Sequence, residues 1–305
     1  MYRLNPVDAQ WLAVDDGRQH MHVSVLTILE GSTDDGTPFD LTRLRQVLEQ
    51  RLHLIPVFRR RLKRVPLNLD YPVFVEDSSF DVDSHLWDMA VPEPGDAHQL
   101  GELVSRLASR PLDLARPLWE IYVVHGLEHG RVALLTKLHH AAVDGQAGLK
   151  ILNILFDQSP AGRDVPPPPA TAPEREPGDL ELVARSMASL PRQLVRAAQA
   201  TPRTLRHLDQ VPTMRNLPGT GSLSRAADQT YRLLTRDQDG EIVTQPTGKA
   251  PSISMGGPIS AHRRFSFISL DLTTLKSIKD QAPGTTLNDV VVALCAGALS
   301  LNPPR

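Results

Sequence analysis

Apolar positions along the chain follow two periods, one of strands and one of helices. Residues 23–29, VSVLTIL, are β-branched and apolar, which predicts a strand. From Asp40 onward the apolar residues are Leu41, Leu44, Leu48 and Leu52, a helical spacing with Asp40 as N-cap. Leu100, Leu103, Val104 and Leu107 mark a second helix. Two apolar runs, 119–124 (WEIYVV) and 131–138 (RVALLTKL), flank a segment from His125 to Gly130 that carries two glycines. That arrangement predicts a hairpin. A helix beginning near Gln146 carries Leu149, Leu152, Ile154 and Leu155.

The pattern breaks at 165–178, VPPPPATAPEREPG, a proline-rich stretch that is extended and packs no core. It reads as an interdomain linker. Over 180–210, Arg185, Arg192, Arg196, Arg203 and Arg206 fit a basic amphipathic helix, with a solvated helix face as the plainer reading. Residues 211–262 are rich in Gly, Pro, Ser and Thr and predict surface loop. Regular structure returns at 263–270, RRFSFISL, a strand candidate. Asp271 caps a short helix with Leu272, Leu275 and Ile278, and Thr285 or Thr286 caps another from Leu287 to Leu299. The predicted organisation is a domain over 1–160, a linker and connection over 161–262, and the start of a further domain over 263–305.

Composition narrows the function classes. The chain has 305 residues, enough for about two domains and a sizeable core. Lys and Arg total 33 and Asp and Glu 35, for a net charge of −2. A near-neutral balance argues against nucleic acid held by bulk charge. The single cysteine, Cys295, excludes an internal disulfide framework and any cysteine-rich metal site. It sits in an apolar helical pattern and is expected in a core. The N-terminus lacks a basic start followed by an apolar run, so no signal peptide is predicted. The longest uncharged apolar stretch starts at Val290 and holds about a dozen apolar residues, short of the ~20 that span a bilayer. The expected location is cytoplasmic, with surface attachment to lipid as an option.

The segment with chemistry is His139-His140-Ala141-Ala142-Val143-Asp144-Gly145, between an apolar strand and an apolar helix. A loop at a strand end presents side chains while the sheet holds the backbone still. A histidine there can act as a general base near neutral pH. Two other readings stand beside it: polar caps on a buried strand, and His140 with Asp144 as i, i+4 metal ligands. Asp144-Gly145 reads as a turn rather than a helix interior, and no further ligand cluster appears, which disfavours metal. Gly145 permits a positive φ or a close backbone approach. No G-x-S-x-G elbow, Walker A loop or G-x-G-x-x-G is present.

HHAAVDG resembles the HHxxxDG motif of the chloramphenicol acetyltransferase-like acyltransferases. Pro117-Leu118-Trp119-Glu120 is similar to the PLW motif of one branch, the bacterial wax ester synthase/diacylglycerol acyltransferases. Asn288-Asp289-Val290-Val291-Val292-Ala293 is similar to that branch's NDVVLA motif. Asp8, Met21-His22-Val23, Pro258-Ile259-Ser260 and Arg263-Arg264 fit the same resemblance.

The resemblance implies an α/β two-layer sandwich of the chloramphenicol acetyltransferase type, with the second domain incomplete because family members continue well past NDVVLA. It implies acyl transfer from acyl-CoA to diacylglycerol or a long-chain alcohol, with no cofactor or metal, and peripheral attachment to a membrane or lipid droplet stays an option beside a cytoplasmic location. It makes His140 the general base and His139 a structural or minor member of the site. Asp144 would fix the loop, with Arg264 as a candidate partner. Gly145 would give the turn. Asn288 and Asp289 carry two readings, a hydrogen bond to the site or a first-turn cap. Trp119 is expected in the core. Two other functions fit the same residues: an inactive, truncated remnant or lipid-binding protein, and an HHxxxDG enzyme using a carrier-protein thioester.

Overall fold

The computed structural model describes residues 1–32, 36–143, 145–157, 159, 162–168, 174–189 and 259–301. The chain divides into two compact units. One holds 1–64, 71–176 and 253–305, the other 65–70 and 177–252.

The first unit carries a three-stranded and a four-stranded sheet. β1 (Tyr2–Arg3), β4 (Val73–Glu76) and β3 (Arg60–Lys63) pair antiparallel in that order. The larger sheet runs β2 (His22–Leu29), β7 (Val132–His139), β6 (Trp119–His125), β5 (Leu86–Ala90). β2 and β7 pair antiparallel over their whole length, with His22 opposite His139 and Leu29 opposite Val132. β6 and β7 form the predicted hairpin, and β5 lies parallel to β6. In the turn Gly126 has φ +83°, and a Cβ there would stand 2.7 Å from the Val91 carbonyl oxygen. Both facts require glycine.

Helices cover both faces of this sheet. α1 (Pro6–Val14) is capped by Asn5, whose side chain accepts the Asp8 N–H at 2.8 Å. α2 (Leu41–Arg51) starts where the sequence predicts, with Asp40 accepting the Arg43 N–H at 2.9 Å. Leu44 and Leu48 of α2 and Ile151 and Leu155 of α4 (Gly145–Leu155) pack with Trp119, Ile121 and Leu134 on one face. Leu149, counted with the apolar positions of α4, is 64% exposed instead; the helix buries Ile151 and Leu155. α3 (Ala97–Ala108) opens with a reciprocal cap between Asp96 and Gln99. It presents Leu100, Val104 and Leu107 to Tyr122, Val124 and Leu135 on the other face.

Residues 263–270 are not the expected strand. They form no ladder; hydroxyls of α3 and of its C-cap take the N–H groups of Phe265 and Arg263. Phe265 N–H donates to Ser105 Oγ at 2.7 Å and Arg263 N–H to Ser109 Oγ at 2.9 Å. Phe265 and Phe267 pack on the α3 side of the core. Further on, α5 (Leu272–Asp280) is capped by Asp271, which accepts the Thr274 N–H at 2.7 Å. α6 (Leu287–Leu301) packs against α5. Cys295 lies on its exposed side rather than in a core, as do Val291, Val292 and Leu294.

In the second unit, residues 179–189 are helical and bury Leu182 and Ser186. The rest of the predicted basic helix, and residues 211–258 of the loop predicted over 211–262, lie outside the described residues.

Candidate active site

β7 is buried throughout and delivers His139 at its last position. Backbone hydrogen bonds hold its end on both sides. His139 N–H donates to Leu118 O at 3.1 Å, and His140 N–H donates to Met21 O at 2.8 Å. Ala142 N–H closes the turn on His139 O at 2.9 Å. Pro117-Leu118-Trp119 and Met21-His22 therefore flank the histidine pair. Trp119 is buried as expected, donates Nε1–H to Phe58 O at 2.8 Å and stacks on Phe58 and His85.

The two adjacent histidines have different surroundings. His139 is 1% exposed. Its Nδ1 accepts the Ala141 N–H at 3.0 Å, which leaves the ring proton of the neutral form on Nε2. That Nε2 faces Asp15 Oδ2 at 3.4 Å. Burial pushes the His139 pKa down, and the Asp15 carboxylate opposes that shift. His140 is half-buried, with its ring stacked on Trp11 of α1 at 4.9 Å between centroids. Among the described residues no hydrogen bond to its ring nitrogens is present. A cavity of about 310 Å³ opens beside the turn, lined by Ala141, Ala142 and Val143 and, across it, by Asn5, Asp8 and Arg60.

A buried polar seam continues from the turn on the α3 face of the sheet. His20 and His22 stack 5.6 Å apart, and their Nε2–H groups donate to the last carbonyls of the α3 region, Ser109 O at 3.0 Å and Ala108 O at 3.1 Å. Burial, helped by the Lys137 charge, pushes the His22 pKa down to about 4. Lys137, with its side chain 0% exposed, donates to Arg110 O at 2.9 Å and to Glu120 at 3.2 Å. Tyr122 donates its hydroxyl to the same carboxylate at 2.7 Å. Burial pushes the Lys137 pKa down and the Tyr122 pKa up.

The other sequence-predicted residues fall in three places. Asp144 lies outside the described residues, and with it the expected pairing to Arg264. Gly145 opens α4. Asn288 and Asp289 lie in the exposed first turn of α6, where Asp289 caps the helix by accepting the Thr286 N–H at 2.7 Å. No hydrogen bond among the described residues links either to the histidines. Sequence reasoning passed over Asp15, Trp11 and the Lys137–Glu120 pair. Only Lys137 left a signal, a lone charge inside an otherwise apolar strand. Groups of three or more His, Cys, Asp or Glu side chains able to hold a metal are absent among the described residues.

A mixed sheet with helices on both faces and an HHxxxDG motif that begins at the end of an inner strand places the molecule in the chloramphenicol acetyltransferase-like class. Within that class the chain belongs to the wax ester synthase/diacylglycerol acyltransferase catalytic domain family, whose model matches residues 4–291. A Mycobacterium tuberculosis H37Rv protein named as a diacylglycerol O-acyltransferase is 35% identical over 300 residues, covering 98% of this chain and 58% of the relative. A second from that organism, tgs3, is 34% identical over 282 residues, covering 91% of this chain and 95% of the relative. Among solved structures, the wax ester synthase/diacylglycerol acyltransferase of Marinobacter aquaeolei VT8 superposes with a TM-score of 0.58 at 26% identity. That match covers 97% of this chain and 59% of the other. The chain thus spans little more than half the length of the first relative and of the solved structure.

Proposed function

We propose that the chain catalyses O-acyl transfer from a long-chain acyl-CoA to the hydroxyl of diacylglycerol or of a long-chain alcohol, with His140 as general base. His140 takes the hydroxyl proton as the oxygen attacks the thioester carbonyl carbon. The tetrahedral centre collapses, the C–S bond breaks, and His140 returns the proton to the CoA sulfur. The products are an ester and free CoA thiol. The thioester is already activated, so the step calls on proton transfer and positioning, with no acyl-enzyme, cofactor or metal.

The observation that carries this reading is the contrast between the two rings. Both nitrogens of His139 are turned into the protein, whereas His140 is half-buried at the turn. Family membership supplies the reaction class, and the names of the relatives supply the acceptors. In this reading Asp144 and Gly145 shape the turn. Val7, Trp11 and Val14 of α1 are exposed apolar side chains, and Trp11 stacks on His140; peripheral attachment to a lipid surface at this helix is part of the same proposal. Among the described residues no helix is long and apolar enough to cross a membrane.

Incubation with palmitoyl-CoA and either dioleoylglycerol or hexadecanol tests the reaction, with products identified by mass spectrometry. The expected result is triacylglycerol or wax ester, with one CoA thiol released per ester. Consumption of acyl-carrier protein in place of acyl-CoA would contradict the donor. Binding to vesicles with no ester from either acceptor would favour a lipid-binding protein instead.

A further inference from the structure

We propose that Asp15 is a positioning residue that fixes the backbone on both sides of His140; this rests on the reading of His140 as general base. Asp15 follows α1 and precedes β2, and its side chain is 12% exposed. One carboxylate reaches the turn by two routes. Along the first, Oδ2 accepts the Met21 N–H at 3.2 Å, and the Met21 carbonyl accepts the His140 N–H at 2.8 Å. Along the second, Oδ2 faces His139 Nε2 at 3.4 Å, and His139 Nδ1 accepts the Ala141 N–H at 3.0 Å. The amide of His140 and the amide of the next residue thus trace back to the same carboxylate. Its other oxygen accepts the Gly17 N–H at 3.4 Å and lies 3.7 Å from His20 Nδ1.

Two features go beyond a loop cap. The carboxylate faces the side chains of two histidines, both at most 2% exposed, where its charge acts with little solvent screening. The Ala141 N–H also dictates which His139 nitrogen bears the proton, and it is the one aimed at Asp15. The ring accepts one hydrogen bond at Nδ1 and lies against the Asp15 carboxylate at Nε2, so the anion biases the orientation of the ring and, through Nδ1, the position of Ala141. An ångström of misplacement at such a turn costs on the order of 100-fold in rate.

Asp15→Asn tests the charge, since the amide keeps an oxygen for the Met21 N–H but presents no anion to His139. Among the described residues, the other titratable or charged groups near His139 are His20 and His22 before and on β2, Lys137 on β7, and His140. All are unchanged in the variant. Two readouts apply. The first is NMR of the histidine ring nitrogens, which needs no turnover. Wild-type His139 is expected with its proton on Nε2, and in Asp15→Asn its pKa falls further, because the anion that favoured the protonated ring is gone. The second is kinetics with palmitoyl-CoA. In Asp15→Asn kcat is expected to drop about 10- to 100-fold with KM within about twofold, and Asp15→Glu restores at least part of it. A proton on Nδ1 of wild-type His139 would overturn the proposal even if the variants failed to fold. So would an unmoved His139 titration, or a kcat loss that Asp15→Glu does not relieve. Absence of turnover in the wild-type protein, with the expected NMR result, would count against the acyl-transfer reading and leave the Asp15–His139–Ala141 linkage standing.

Discussion

Histidine 22 and histidine 140 carry the same side chain in different roles because of what each ring touches. The His22 ring is spent on a helix end, donating to Ala108 O, and burial beside Lys137 brings its pKa to about 4. Between pH 6.5 and about 4 the unfolded chain binds a proton there that the folded chain does not. Stability is therefore fully present above the unfolded pKa and is lost as pH falls through this window, by up to about 3 kcal/mol. His22→Gln keeps a donor for the Ala108 carbonyl and removes the titration. Urea unfolding at pH 7 and pH 4.5 is expected to show a smaller acid loss in the variant, with a residual slope from His85 and His139, whose pKa values burial also lowers. Equal acid losses in the two proteins would contradict the account.

Between elements, one close approach sets the path of residues 263–267. Gly101 lies where a Cβ would stand 2.9 Å from the Phe265 carbonyl oxygen, and Ser105 and Ser109 take the N–H groups of Phe265 and Arg263. Gly101→Ala is expected to cost about 1–3 kcal/mol in urea unfolding, by pushing this segment off α3. A variant as stable as the wild type would show that the segment yields freely. The same segment shows where sequence reading fails. Its alternation of Phe265, Phe267 and polar residues has the period of a strand, and period reports which side chains are buried, not what pairs with the backbone. Helices α2, α5 and α6 were legible because their caps are local in sequence, Asp40, Asp271 and Thr286 acting within three residues, and α3 from the spacing of its leucines and Val104. β6 and β7 were legible from one hairpin. The site was legible only as far as it is contiguous. His139 and His140 stand in one motif, whereas Asp15 and Trp11 reach it from more than 120 positions away, through contacts no local pattern encodes.

At the scale of the first unit, the four-stranded sheet and the helices on its two faces surround the end of β7 and the turn that follows it. β7 is the inner strand that ends in His139, anchored to the residues before β2 and before β6, so its end has little freedom. The Lys137–Glu120–Tyr122 network lies one turn of the pleat behind His139 on the same face, and ties β6 to β7 where the chain emerges. The half-buried His140 then projects from a rigid base beside the exposed apolar side of α1. This arrangement assigns different losses to the two histidines. The most direct test is thiol release from palmitoyl-CoA, with dioleoylglycerol or hexadecanol, by the wild-type protein, His140→Ala and His139→Ala. Acceptor-dependent release is predicted to fall about 100- to 10,000-fold in His140→Ala, the usual range for a lost general base. It is predicted to fall less in folded His139→Ala. Full activity in His140→Ala together with its loss in His139→Ala would contradict the assignment.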